Sequence, residues 1–266
     1  MNPFTDVAIY IELQVKDKIQ EGAFLTISNA TGFLYCFDDK VFLVTNWHVF
    51  SGKKFIDNHY SNELLNANGA IPELVLFHSR NLSQEWRLPL FDKDGATKWR
   101  FSETHDIDIA FIELSRSDCA ALQQLGWSTP ISDNLGLQDL AINVCDDVFV
   151  VGYPFGKRAS TSYLAPIFKR GTLATSLSLS YLENRPSFIV DTTSRPGMSG
   201  SPVVAIRNGS YWLENDSLIM DGTIGMRFLG IYSGRIDGNQ GEESCLGLAW
   251  QRLLIDALIS STDKLA

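Results

Sequence analysis

The chain has 266 residues, 45% of them hydrophobic, with 31 acidic against 22 basic side chains and a net charge of −9. That length and apolar content suffice for a large core, as one domain or two packed halves, and argue against disorder. An acidic chain with no cluster of Lys or Arg excludes nucleic acid as a partner, and no apolar run is long enough to place the chain in a membrane.

The opening residues, Met1 to Asp6, lack the basic start, apolar stretch and small-residue cleavage site of an export signal, so a soluble, cytoplasmic protein is expected. Cys36, Cys119, Cys145 and Cys245 are scattered and form no C-x-x-C pair. Metal and redox sites are therefore not expected, no cofactor is expected, and the aromatic and aliphatic neighbours suggest buried free thiols in a reducing compartment.

In chain order, Val7 to Val15 is compatible with a strand or an opening helix. Strands are predicted over 23–27, 32–37 and 41–45, with turns at 28–30 and 38–40. His48 lies just beyond the third, in Asn46-Trp-His-Val-Phe50. Residues 51–72 read as polar and irregular, and 74–77 and 86–90 as further strands. Alternation over Asp106 to Leu114 predicts a strand with one apolar face. An isolated carboxylate at Asp108, inside it, is costly unless paired, so a partner is implied. Residues 115–141 read as a connector. Strand-like runs resume at 147–151, 152–156, 167–171, 187–190, 203–206, 228–234 and 246–248. Trp250 to Ile259 alone shows helical spacing, with Leu253, Leu254, Ala257 and Leu258 on one face.

The pattern is all-β with one terminal helix, and the halves are similar in size, which suits two barrels. The segment Asp191-Thr-Thr-Ser-Arg-Pro-Gly-Met-Ser-Gly-Ser-Pro202 has a serine between two glycines, a tight turn that lifts Ser199 to its apex. Alone, such a turn can be an ordinary hairpin. A serine hydroxyl near neutral pH needs an adjacent base, and histidine titrates in the range to take and return one proton. The order His48, Asp108, Ser199 is one of the known orders of a catalytic triad.

Each of these residues also sits in a phrase that resembles one in the chymotrypsin-like, or trypsin-like, double-barrel serine peptidases. Thr45-Asn-Trp-His-Val49 resembles T-A-A-H-C/V, Asp108-Ile-Ala-Phe-Ile112 resembles D-I-A-L-L, and Gly197-Met-Ser-Gly-Ser-Pro202 resembles G-D/N-S-G-G-P. Val151-Gly-Tyr-Pro-Phe-Gly156 is similar to a phrase of bacterial members, and Gly230-Ile-Tyr-Ser-Gly234 to the strand that lines their substrate cleft.

The resemblance implies a single peptidase domain over 1–266 with two packed six-stranded antiparallel barrels and a C-terminal helix. The barrels would occupy about 20–118 and 142–248, the linker 119–141 and the helix 249–262. Ser199 would be the nucleophile, His48 the general base and Asp108 its orienting carboxylate. The turn Gly197, Met198, Ser199 would form the oxyanion hole through the N–H groups of Gly197 and Ser199. Asp106 is a rival to Asp108 but does not stand directly before Ile-Ala. His59, His78 and His105 read as surface residues, and Trp47 and Trp99 as packing.

The chain departs from the family in places. Val49 stands where secreted members carry a disulfide cysteine, and Met198 where zymogen-type members carry an aspartate. Thr193 stands where trypsin's own pocket has its aspartate, so a preference for Lys or Arg is not implied. The expected pocket is Thr193, Ser194, Tyr232 and Gly247; Tyr232 stands where glutamyl endopeptidases have a histidine, which leaves a neutral or small apolar preference. The expected partners are a protein or peptide substrate and a regulatory protein. Two further readings stay open: a module that keeps the fold for binding or scaffolding, and an esterase using the same triad.

Overall fold

The computed structural model describes residues 7–65, 69–103, 106–128, 130–132, 139–193, 195–236 and 245–263. The first half holds β1 (Ile9–Lys16), β2 (Phe24–Phe37), β3 (Lys40–Thr45), α1 (Trp47–Ser51), β4 (Lys53–Ile56), β5 (His59–Leu64), β6 (Leu74–His78), β7 (Glu85–Pro89), β8 (Arg100–Phe101), β9 (Ala110–Glu113) and α2 (Arg116–Gln124). Seven of these strands form one sheet in the order β7-β6-β1-β2-β3-β9-β8, and β4 and β5 form a separate hairpin.

The second half holds β10 (Asp147–Gly152), β11 (Ile167–Leu173), β12 (Ser187–Asp191), β13 (Pro202–Asn208), β14 (Tyr211–Trp212), β15 (Leu218–Ile219), β16 (Ile224–Arg235), β17 (Leu246–Gln251) and α3 (Arg252–Asp263). Six of its strands close into an antiparallel barrel, β10-β11-β12-β17-β16-β13. The architecture is all-β with a closed six-stranded barrel and a C-terminal helix. Among the described residues no helix is long and apolar enough to cross a membrane.

Phe188 to Val190 of β12 and Val203 to Ile206 of β13 read as unbroken apolar runs because both of their faces are covered, whereas β11, with Lys169 and Arg170, is largely half-exposed. Phe188 and Val190 point into the barrel with Val148, Val150 and Met198, whereas Ile189 between them joins the core shared with the first half. That shared core joins the two halves: the ring of Phe228 on β16 lies 5.3 Å from Phe33 and 6.0 Å from Tyr35, both on β2. Each such side chain, fully buried, contributes roughly 1.5–3 kcal/mol.

Several sequence expectations give way to tertiary context. The first run is a strand, β1, clamped between β2 and β6. Strands expected over 23–27 and 32–37 are one continuous strand, because β1 pairs along the 28–30 stretch. Residues 53–64 are a hairpin rather than irregular, and their turn, Asp57-Asn58, takes left-handed angles as a two-residue turn requires. The connector contains α2, whose start carries a capping box between Ser115 and Asp118. The terminal helix begins at Arg252, and its buried face is Leu254, Ile255, Leu258 and Ile259; Leu253 and Ala257 are exposed and Trp250 lies in β17. The four cysteines are free, but Cys36 and Cys119 are half-buried and Cys145 and Cys245 exposed, so the expectation of buried thiols fails. Trp47 and Trp99 are core residues.

Candidate active site

His48 is the second residue of α1, a single helical turn closed by Gly52 in the left-handed region. The helix follows β3 directly, so the imidazole is mounted on a rigid strand end. Asp108 lies two residues before β9 rather than inside a strand as expected; Ile109 N–H donates to Ile107 O at 2.7 Å, a three-residue turn centred on Asp108. Tyr60 braces this segment: its hydroxyl donates to Ile107 O at 2.7 Å and accepts from the Ile107 N–H at 3.1 Å. Burial raises the Tyr60 pKa, so the phenol stays a neutral donor.

The Asp108 carboxylate is fully buried, and its acceptors are met. Oδ1 accepts the His48 backbone N–H at 3.0 Å, and Oδ2 lies 2.7 Å from His48 Nδ1. Oδ2 also accepts from the Ser233 hydroxyl. An ionised carboxylate only accepts, so Nδ1 carries the proton and Nε2 is left as the basic nitrogen. Asn46 Nδ2 donates to the Asp108 carbonyl at 2.7 Å and fixes the backbone of the same residue.

Asp106 is occupied elsewhere. Its carboxylate accepts from His59 Nδ1 at 2.7 Å and from the Tyr60 N–H at 3.1 Å, and the His59 contact holds it below the usual range. His59 is exposed as expected. His78 is not a free surface residue: it is half-buried between Glu12 and Glu85. His105 lies outside the described residues.

Ser199 sits on a turn whose carbonyls and amides are tied to both halves. Thr31 N–H donates to Ser199 O at 3.0 Å, and Gly200 N–H to Tyr232 O at 3.1 Å. Gly200 has φ 82, and a Cβ there would lie 2.0 Å from Thr31 O, so this position admits only glycine. Met198 anchors the turn by filling the barrel interior. Its N–H is used within the turn, donating to Arg195 O at 3.2 Å. Among the described residues the N–H groups of Gly197 and Ser199 make no backbone hydrogen bond and stay available to a ligand oxygen.

His48, Asp108 and Ser199 line one cleft of about 420 Å³, walled by the β4–β5 hairpin at Asp57 and Asn58 and by Arg235 and Leu248 of the barrel. The Ser199 hydroxyl donates to Ser233 O at 3.3 Å, and among the described residues it makes no hydrogen bond to His48. A nucleophile and base are often looser than hydrogen-bond distance in a ligand-free site. Of the expected pocket residues, Ser194 lies outside the described residues and Thr193 is exposed. Tyr232 is buried in the barrel interior beside Met198, where its ring occupies the space that a Cβ on Gly247 would need. Thr193, Tyr232 and Gly247 are not among the residues lining the cleft.

Three residues that touch this constellation carry no role in the sequence reading: Ser233, Asn46 and Thr31. For Ser233 and Asn46 the only signal was the need of a buried Asp108 for partners; for Thr31, which bonds the serine turn instead, there was none.

A family model described as a trypsin-like peptidase domain matches residues 30–211, more than half of the chain. No curated protein sequence matches it. Among solved structures, the chain is similar to the HtrA-type protease AlgW with a tripeptide, at 14% identity and TM-score 0.47, over 97% of this chain and 60% of that one. It thus spans 60% of the length of AlgW. It is also similar to the Rv3671c protease of M. tuberculosis in an inactive form, at 13% identity and TM-score 0.49, over 97% and 89% of the two chains. A thermostable serine protease, AL20, from an extremophilic microorganism is similar at 13% identity and TM-score 0.48, over 98% and 99%.

Proposed function

The chain belongs to the trypsin-like peptidase domain family, and on that premise we propose that it is a serine endopeptidase working through His48, Asp108 and Ser199 with an acyl-enzyme intermediate. The observation that carries this reading is the buried carboxylate of Asp108 holding both the backbone and the ring of His48, in the same cleft as Ser199.

In the proposed reaction the Ser199 hydroxyl rotates from Ser233 O toward His48 and gives its proton to Nε2 as Oγ attacks the scissile carbonyl. Charge on the former carbonyl oxygen is met by the N–H groups of Gly197 and Ser199; one such donor typically supplies about 3–4 kcal/mol of transition-state stabilisation. His48 then protonates the departing amine, leaving an ester on Ser199. Water gives a proton to His48 as it attacks that ester; the acyl–Oγ bond then breaks, His48 returns the proton to Ser199 Oγ, and the acid product leaves. Asp108 holds the imidazole tautomer and stabilises the imidazolium at each stage.

We also propose a restricted set of protein or peptide substrates, control by a regulatory protein, and a cytoplasmic setting. The last is supported by four free cysteines, two of them exposed, which persist as thiols in a reducing compartment. The test is labelling by a fluorophosphonate probe: stoichiometric modification of Ser199, abolished in Ser199→Ala and His48→Ala, is expected. Complete absence of labelling in the wild-type chain would favour the binding module, for which the Ser199 hydroxyl's engagement with Ser233 O is the supporting observation.

A further inference from the structure

The peptide groups on either side of Gly197 are held by two bonds from outside the turn. The Phe155 N–H donates to Pro196 O at 2.6 Å, and the Thr31 hydroxyl donates to Gly197 O at 2.8 Å. In a trans peptide the C=O and the following N–H point in opposite directions. The Pro196 carbonyl faces Phe155, so the Gly197 N–H is turned away from Phe155. The Gly197 carbonyl faces Thr31, so the Met198 N–H is turned away from Thr31 and meets Arg195 O.

Thr31 is fully buried on β2, and each of its polar atoms is used. Its hydroxyl accepts the Tyr153 N–H at 3.2 Å while donating to Gly197 O. Its N–H holds Ser199 O, and its own carbonyl accepts from the Thr45 hydroxyl at 2.8 Å. One side chain of the first half thus ties the serine turn to the segment after β10. Phe155, in that segment, has φ 54 although its ring is exposed. A bulky residue in the left-handed region is strained, and strain of this kind persists where the surroundings impose it.

We infer that Thr31 is a positioning residue for the oxyanion site: its hydroxyl fixes the peptide that follows Gly197 while the Phe155 amide fixes the one that precedes it, so Gly197 is clamped on both sides and its N–H stays turned toward the reacting carbonyl. This rests on the peptidase reading above. Thr31 touches no substrate in this scheme; it acts through the orientation of Gly197.

The experiment compares Thr31→Val, which keeps shape and loses the hydroxyl, with Thr31→Ser, which keeps the hydroxyl. In Thr31→Val kcat should fall about ten- to a hundredfold, short of deleting a donor, while KM stays within about twofold. Thr31→Ser should restore kcat to within about threefold of wild type, on the same principle. Loss of packing alone would not be rescued selectively in kcat. Phe155→Val, disfavouring positive φ, should lower kcat, whereas Phe155→Asn, which tolerates it, should not; this pair decides the matter if Thr31→Val does not fold. Equal kcat in Thr31→Val and Thr31→Ser, or in Phe155→Val and Phe155→Asn, overturns the inference. If the wild-type chain neither labels nor turns over, the peptidase reading falls by itself. The positioning role is then read from the ¹⁵N–H resonance of Gly197, which should move in Thr31→Val and return in Thr31→Ser; an unmoved resonance rejects it.

Discussion

Asp108 holds His48 twice, at the backbone N–H through Oδ1 at 3.0 Å and at ring Nδ1 through Oδ2 at 2.7 Å. The same carboxylate therefore sets where the residue sits and which ring nitrogen is basic. Asp108→Asn replaces one acceptor by an N–H₂ donor, which cannot accept from Nδ1–H and favours the wrong tautomer. On the proposed mechanism kcat should drop on the order of 10⁴-fold with the fold retained. Peptide-cleavage kinetics beside a thermal melt check this; a folded variant with activity near wild type removes Asp108 from its role.

Ser233 supplies the third donor to the Asp108 carboxylate. A hydrogen bond to a buried charged group is worth about 1.5–3 kcal/mol, so Ser233→Ala should lose that much stability. Its backbone carbonyl, which receives the Ser199 hydroxyl, stays in place. Urea unfolding reads the loss as a lower midpoint, and an unchanged midpoint contradicts the expectation.

Gly200 lies against the backbone of the first half. A Cβ would lie 2.0 Å from Thr31 O and 2.2 Å from Thr45 Oγ1, at a φ of 82. Neither neighbour is a flexible side-chain end, so Gly200→Ala should cost more than about 3 kcal/mol, or prevent folding. A melting temperature within a degree or two of wild type would show that the turn accommodates a methyl group.

His78 and Glu12 form a half-buried pair at 3.2 Å, with Glu85 at 3.5 Å, the Tyr10 ring stacked alongside and the charge of Arg158 opposing. The hydrogen bond to Glu12 raises the His78 pKa, and the bond from His78 lowers that of Glu12. The His78 contribution is fully present below its ordinary value of 6.5 and is lost as pH rises through the raised value. The Glu12 contribution is present above its ordinary 4.5 and lost as pH falls through the lowered value. The stability difference between wild type and His78→Gln should therefore be largest between these two ordinary values and shrink at alkaline pH. Melts from acid to alkaline pH test it; a difference that keeps growing as pH rises above 6.5 reverses the sign and rejects the pairing.

Much of the site was legible because its chemistry is local. Gly-x-Ser-Gly reports a turn that only glycine can make, and both of its glycines have positive φ. The acidic Asp38-Asp39 pair reports a hairpin, and both residues take the left-handed angles that such a turn demands. The β4–β5 hairpin was hidden because its strands are polar and half-exposed, and α2 because its short run buries only one apolar residue, Leu122. The apolar face of α3 was misassigned by one position at each turn, since packing against the barrel rather than periodicity decides which side is covered.

By itself the sequence determined the all-β pattern, singled out His48, Asp108 and Ser199 as candidates, and marked the turn that presents the serine, since dihedral preferences and alternation act over a few neighbouring residues. Only the tertiary structure decided that Ser233 and Asn46 complete the shell of Asp108 and that Thr31 bridges Gly197 to Tyr153. It also decided that Tyr232 turns into the barrel. Those contacts join residues up to 166 positions apart, and a buried donor finds its acceptor through the folding of two halves against each other, which no local rule encodes.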